Sequence, residues 1–389
     1  MHKFPLATTT WDQEEYNAIQ KVVDSGIFSM SSEVKAFEEE FANFFGSKYA
    51  VMVNSGSSAN LLMISSLFYV SDKCLRLNQG DEVIVPAVSW STTYFPLHQY
   101  GLKLKFVDID KQTLNYDLQK LGSAITSKTR VIFLVNLLGN PNYFTKINSL
   151  IKDKNIFLLE DNCESMGAKF EEKYAGTFGV MGTFSLFFSH HISTMEGGVV
   201  ITEDEELYHI IRALRAHGWT RDLPQENKVT GTKSSNKFEE SFKFVLPGYN
   251  LRPLEMSGAI GRVQLKKLPE IIKQRRKNGN CYKLMLTNHP LFYIQEELGE
   301  SSWFGFSLII REDSNITRED LIEKLDQIGF ESRPIVGGNF TKNKVMRYID
   351  HEIHQTLDNA DYIDQNGLFV GNHHYPIEDG IQLIKNLRF

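Results

Sequence analysis

In FSLFFSHHISTMEGG (Phe184–Gly198), a mostly apolar run fit for a buried strand gives way to Ser189, His190 and His191, then closes on a Glu-Gly-Gly turn. Two adjacent histidines at the end of such a strand have two readings. One of them serves as a general acid or base, because an imidazole changes charge near neutral pH. Alternatively, both are structural residues with satisfied hydrogen bonds.

Apolar runs of the same kind recur on both sides of this stretch: YAVMV (49–53), DEVIVPAV (81–88), KLKFVDI (103–109), TRVIFLVN (129–136), NIFLLEDN (155–162) and GGVVIT (197–202). Most are too short for helices, and helical or turn segments separate them. That alternation predicts a mainly parallel sheet flanked by helices. TWDQEEYNAIQKVVDSG (10–26) and EVKAFEEEFANFFG (33–46) read as helices ending at glycines. The texture changes around Gly258. GRVQLKKLPEIIKQRRKNGNCYKLML (261–286) predicts a long charged helix, SWFGFSLIIRE (302–312) a strand, and TREDLIEKLDQIG (317–329) a capped helix. The expected division is a large unit over residues 1–257 and a smaller α+β unit over 258–389.

The 389 residues suit two such units. Apolar residues make up 42% and charged residues 23%, as in a soluble globular protein. The net charge of -6 argues against a nucleic-acid surface. No apolar run reaches the length of about 18 residues needed to span a membrane, and MHKFPLATTTWDQ lacks the apolar centre of a signal peptide. The cytoplasm is the expected compartment. Cys74, Cys163 and Cys281 are scattered, which argues against a disulfide framework, a zinc site or an iron–sulfur cluster. His351 and His354 are three apart, and His373 and His374 adjacent, but neither pair has an evident third ligand, so no metal is expected.

In a parallel α/β sheet, ligands gather at the carboxyl ends of the strands. VNSGSSANLLM (53–63) offers amides at a helix start that suit a phosphate, or a plain strand-to-helix turn. In IFLLEDNCES (156–165), Asp161 and Glu164 face a ligand cation or cap the next helix. In PAVSWSTTY (86–94), Trp90 stacks on a flat ring or belongs to the core.

Taken together, NSGSSAN, PAVSWST, FVDID, LLEDNCES and GTFSLFFSHHISTMEGG follow the order and approximate spacing of the fold-type-I pyridoxal-phosphate enzymes that act on nucleotide sugars, the DegT/StrS aminotransferase and dehydratase family. HGWTRD (217–222), PGYNLRPLEMSGAIG (247–261) and RPI (333–335) extend the resemblance over nearly the whole chain. It implies an aspartate-aminotransferase-like α/β fold, with a mainly parallel seven-stranded sheet in the large unit. Aminotransferases of this family carry a lysine six residues before the Glu of the EGG turn, where it holds the cofactor as a Schiff base. Here that position is His190, and no lysine occurs between Lys173 and Gly198. In this the chain resembles the 3-dehydratase branch of the family, which acts on GDP-4-keto-6-deoxymannose on the way to colitose.

An imidazole holds no aldehyde as a stable imine, so the resemblance implies pyridoxal and pyridoxamine 5'-phosphate bound without a covalent link. It assigns Gly56, Ser57 and Ser185 to the phosphate, Trp90 to the ring face, Asp161 to the pyridine nitrogen and Glu164 to the neighbourhood of the ring oxygen. Asn250 reaches the phosphate from the partner of a homodimer with shared active sites. Phe28, Ser29, His217, Arg221, Arg252, Glu331 and Arg333 are assigned to the sugar nucleotide, the arginines suiting a diphosphate. The implied reaction takes the amino group of L-glutamate, expels the hydroxyl at carbon 3 and releases ammonia and 2-oxoglutarate. No iron–sulfur reductase partner is expected. His190 is the expected acid and base, with an ordinary pKa of about 6.5. A carboxylate at Glu164 is expected to share a proton with the ring oxygen rather than repel it. Two rivals remain at this point: an aminotransferase with an unusual base, and a non-catalytic binder of the cofactor or sugar nucleotide. Bleaching of the bound cofactor's visible band by L-glutamate separates the binder from an enzyme.

Overall fold

Each of the seven apolar runs forms a strand in the computed structural model, which describes residues 2–389. In chain order they are β1 (Tyr49–Val53), β2 (Glu82–Pro86), β3 (Lys103–Val107), β4 (Thr129–Val135), β5 (Phe157–Asp161), β6 (Met181–Ser185) and β7 (Gly198–Thr202). They lie side by side as β1-β7-β6-β5-β4-β2-β3. Strands β2 to β6 run parallel, and β7 is antiparallel to both its neighbours. β2, β5 and β6 are buried at every position because helices cover both faces, which is why they read as unbroken apolar runs. The expected seven strands gain an eighth, His351–Ile353, parallel to β3. Its three residues are exposed, so no apolar run marks it in the sequence.

Helices α1 (Gln13–Ser25) and α2 (Ser32–Phe45) precede the sheet; α3 (Gly56–Ser66) follows β1 and α4 (Ser91–Gln99) follows β2. The long charged segment is α5 (Glu255–Leu286), so the expected boundary at 257/258 falls within its first turn. Beyond it, Phe292–Tyr293, Gly305–Ile310, Gly367–Gly371 and Ser332–Arg333 form a four-stranded antiparallel sheet. Its core gathers Tyr282, Trp303 and Phe306. Phe4 belongs to that core too, stacked on Phe330 at 4.4 Å, although the sequence groups the N-terminal segment with the first unit.

α2 and α5 meet closely over the β1–β7–β6 face. A Cβ on Gly258 would come within 2.5 Å of the Val34 nitrogen, so only glycine allows the approach. On the same side, Phe41 and Phe45 pack on Phe184 of β6 at 5.3 and 4.7 Å. Ser31 caps α2 with no side-chain bond. The buried carboxylate of Glu255 does that work instead, accepting the amides of Ser31 (2.5 Å) and Glu33 (2.6 Å). A negative charge at a helix start complements both the free amides and the helix dipole. Glu255→Ala is therefore expected to cost about 1–3 kcal/mol of stability, read from the urea unfolding midpoint.

Candidate active site

Ser185 at the end of β6 pairs with Gly198 at the start of β7, which closes residues 186–197 into a loop. Backbone bonds brace it from inside: Leu186 N–H to Gly197 O (2.9 Å), Thr194 N–H to Leu186 O (3.0 Å) and Phe188 N–H to Met195 O (3.1 Å). This loop carries His190 onto a cavity of about 570 Å³ at the carboxyl ends of the strands. Gly198 also pairs with Val53 of β1. A Cβ there would lie 2.3 Å from the Ser55 oxygen, so the second glycine of the EGG turn lets the chain before α3 cross directly over it.

The amides of Gly56 and Ser57 open α3 and have no acceptor among the described residues; Ser55 Oγ accepts from the Ser58 amide instead. A Cβ on Gly56 would come within 2.7 Å of the Ser185 side chain and 3.0 Å of Cys163 Sγ. The helix start is thus bare backbone beside two hydroxyls, those of Ser57 and Ser185, and suits a phosphate. Asp161, buried at the end of β5, accepts from Asn60 Nδ2 (2.8 Å), Thr93 Oγ1 (2.9 Å) and the Cys163 amide (3.1 Å). All three donors are neutral, and no cation lies within ion-pair distance of it among the described residues. A buried carboxylate aimed at a cavity without a cation fits a protonated pyridine nitrogen. Trp90, 58% exposed, stands on the cavity wall rather than in the core. These residues together fit a phosphorylated pyridine.

Glu164 accepts the Leu138 amide at 3.0 Å. Burial pushes its pKa up to about 7 despite that bond, and Asp161 adds to the rise. His190 lies against the Phe304 ring, at 5.2 Å between centroids, and its Nδ1 is buried without a partner. Desolvation pulls its pKa down to about 4, the nearby Phe187 backbone opposes that fall, and the Arg275 charge adds to it. This corrects the expected ordinary value: the imidazole is neutral throughout the physiological range. His191 is fully buried and bonds the Ser302 oxygen through Nε2 at 3.1 Å, the structural arrangement.

Of the residues named from sequence, Gly56, Ser57, Trp90, Asp161, Glu164, Ser185, His190 and Arg333 line this one cavity. Glu331 lies beside it and accepts the Leu6 amide at 3.1 Å. Asn250, Phe28, Ser29, His217, Arg221 and Arg252 do not line it and form a second group. There, Ser29 bridges to Leu254 and Ala216 to Asn250, Arg252 Nε donates to Asn250 Oδ1 (3.1 Å), and Arg221 lies over Trp219 at 4.2 Å. Asn60 and Thr93, which hold Asp161, escaped the sequence reading. Asn60 was traceable, since it stands one helical turn after Gly56. Phe304 carried no signal at all. Among the described residues, no three His, Cys, Asp or Glu side chains gather as metal ligands, and no helix is long and apolar enough to cross a membrane.

The raised pKa of Glu164 has a sign that can be tested. The folded state holds its proton up to about pH 7 and the unfolded chain releases it near 4.5, so the stability this group contributes is full below 4.5 and falls as pH rises through 7. Glu164→Gln, measured without cofactor, is expected to flatten that part of the melting temperature's pH dependence. An unchanged slope between pH 5 and about 8 would contradict the assignment.

The chain is 61% identical over 388 residues to the GDP-4-keto-6-deoxy-D-mannose 3-dehydratase of Yersinia pseudotuberculosis, covering 100% of this chain and 98% of that one. An E. coli GDP-4-keto-6-deoxy-D-mannose-3-dehydratase with bound hydrated PLP superimposes with a TM-score of 0.97 at 60% identity, covering 99% of each chain. A GDP-4-keto-6-deoxymannose-3-dehydratase structure with a trapped PLP-glutamate geminal diamine does so with the same TM-score and identity, over 98% of this chain and 99% of that one. Residues 9–381 match the profile of the DegT/DnrJ/EryC1/StrS aminotransferase family, and the chain belongs to that family.

Proposed function

We propose that this chain removes the hydroxyl at carbon 3 of GDP-4-keto-6-deoxymannose, giving GDP-4-keto-3,6-dideoxymannose. L-Glutamate is the amino donor, and ammonia and 2-oxoglutarate are released. The observation that carries this reading is His190: a neutral imidazole occupies the position of the family's Schiff-base lysine, and no lysine lines the cavity among the described residues. Full-length identity to dehydratases of that name supports the choice of sugar and nucleotide.

When bound, pyridoxal or pyridoxamine 5'-phosphate supplies an electron sink and an exchangeable amino group that no side chain provides. Gly56 and Ser57 present amides and a hydroxyl to its phosphate, and Ser185 adds a second hydroxyl. Asp161, held by Asn60 and Thr93, keeps the pyridine nitrogen protonated. Trp90 covers the ring face, and Glu164 holds a proton to share with the ring oxygen. His190 takes one proton as imidazole and returns it as imidazolium to the departing hydroxyl. Its affinity for that proton rises when an anionic phosphate enters the cavity. Arg333 and Glu331 contact the sugar nucleotide. The units at 1–257 and 258–389 meet at this cavity. The three free cysteines suit the reducing cytoplasm.

The second group of site residues belongs to the same active site only if a partner supplies it, so the working form is a homodimer. Phe28, Phe242, Phe244 and Leu254, each more than half exposed around that group, give the partner an apolar surface. Neither a membrane nor a nucleic acid takes part.

Incubation with GDP-4-keto-6-deoxymannose, cofactor and L-glutamate is expected to yield a sugar nucleotide lighter by one oxygen, with ammonia released. A product bearing a new amine would overturn the reading of His190. His190→Lys is expected to retain the cofactor through desalting and to lose dehydration by about 100-fold. For the shared site, His190→Asn and Arg252→Ala homodimers should each be inactive. Mixed dimers of the two should recover about a quarter of wild-type activity, since half the dimers carry one intact site. No recovery would mean that both residues serve the site of their own chain.

A further inference from the structure

Arg275, on α5, is buried and yet has no acidic partner within ion-pair distance among the described residues. Its Nη1 donates to the carbonyls of Trp303 (3.3 Å) and Phe304 (3.1 Å), and its Nε has no acceptor. Desolvation alone pulls the guanidinium down to about pKa 10. A buried cation satisfied only by carbonyl dipoles is costly, and its surroundings show what it holds.

Trp303 sits in the left-handed region at φ 48°, a conformation that side chains rarely adopt. The turn it forms crosses a second one, at Leu138, also left-handed at φ 53°. The two are laced together: Phe304 N–H donates to Leu138 O (3.0 Å) and Ser302 N–H to Gly139 O (2.9 Å). Both catalytic groups lean on this crossing. The Phe304 ring carries the imidazole of His190, His191 bonds Ser302 O, and the Leu138 amide holds Glu164. Asn372 Nδ2 ties Trp303 O (2.8 Å) back to the Arg275 carbonyl (3.1 Å).

We propose that Arg275 is a positioning residue: it clamps the Trp303–Phe304 turn that seats His190 on one side and, through Leu138, Glu164 on the other. Its charge then works on the same imidazole, because an uncompensated cation opposes a second positive charge nearby. The other titratable or charged groups near His190 are His191 on its own loop and, along the same cavity, Asp161 at the end of β5, Glu164, Glu196 and Arg333. Beyond the effect of burial, Arg275 is the charge that pulls this imidazole down.

This inference rests on His190 as the acid and base of the proposed reaction, but its first readout does not depend on catalysis. Histidine labelled at Cε1, with His190→Asn to assign the signal, gives the imidazole's titration midpoint by NMR. Arg275→Met is expected to raise that midpoint by roughly half a pH unit and to lower kcat about tenfold through lost alignment. Arg275→Lys, which keeps a cation at the same place on α5, is expected to return both toward wild type. A folded Met variant with midpoint and kcat unchanged overturns the proposal, as does a Lys variant no better than Met. Should the Met variant not fold, Phe304→Leu takes the seat from under His190 while leaving Arg275 in place. It is expected to lower kcat about tenfold at unchanged KM for L-glutamate, and an unchanged kcat overturns the proposal.

Discussion

The site depends on one crossing of backbones. Gly198 passes so close beneath Ser55 that no Cβ fits between them. That contact fixes three things at once. It sets the height of the α3 amino terminus above the sheet. It closes the His190 loop at its base, where Ser185 and Gly198 pair. It also leaves Gly56 directly against the Ser185 side chain, which makes one small cradle from residues far apart in sequence. A side chain at either glycine would separate the anion-binding amides from the proton-handling loop.

The pattern of buried charge separates what serves the scaffold from what serves chemistry. Several buried ions are paired: Arg215 with Glu38, Lys105 with Glu82 at 2.7 Å, Lys120 with Asp108 at 2.8 Å. Glu255 and Glu160 are unpaired, but backbone amides hold them within the scaffold, whereas two further unpaired groups lie at the cavity or just behind it. Asp161 is a buried anion held by neutral donors, and Arg275 is a buried cation held by carbonyls. Such exceptions are costly in a folded protein and concentrate where a ligand or a mechanism completes the balance. The anion faces the cavity, where it suits a cationic group. The cation lies behind the cavity wall, where it acts on the residues that form it.

Much of this architecture could be read from sequence because parallel strands buried on both faces leave unbroken apolar runs, and seven of them were visible. The residues at their carboxyl ends were legible for the same reason: polar side chains directly after such runs, as at Asp161 and Ser185, stand out. The strand at His351–Ile353 was not, since an exposed edge strand needs only backbone pairing and leaves no pattern. Nor could sequence supply the pKa of His190, which is set by desolvation among Phe187, Phe304 and Arg275, residues brought together only by the fold. Phe304 and Leu138 lay outside reach because their roles rest on left-handed turns that no local motif announces. The second group of site residues was recognised by resemblance, and only the fold showed that it stands apart from the cavity of its own chain.

The two sheets exchange chain. Phe4 is packed into the core of the smaller one, while His351–Ile353, from the C-terminal half, completes the edge of the larger one. Each unit therefore contains a piece that the other's sequence must deliver across the length of the molecule. Contacts of that separation are slow to form, because a large loop must close before they stabilise anything. Both sheets are therefore complete only once contacts more than 200 residues apart in sequence have closed. The two sheets are thus tied by exchanged segments as well as by the helix between them, and a cut at either segment would unseat a piece of the opposite sheet.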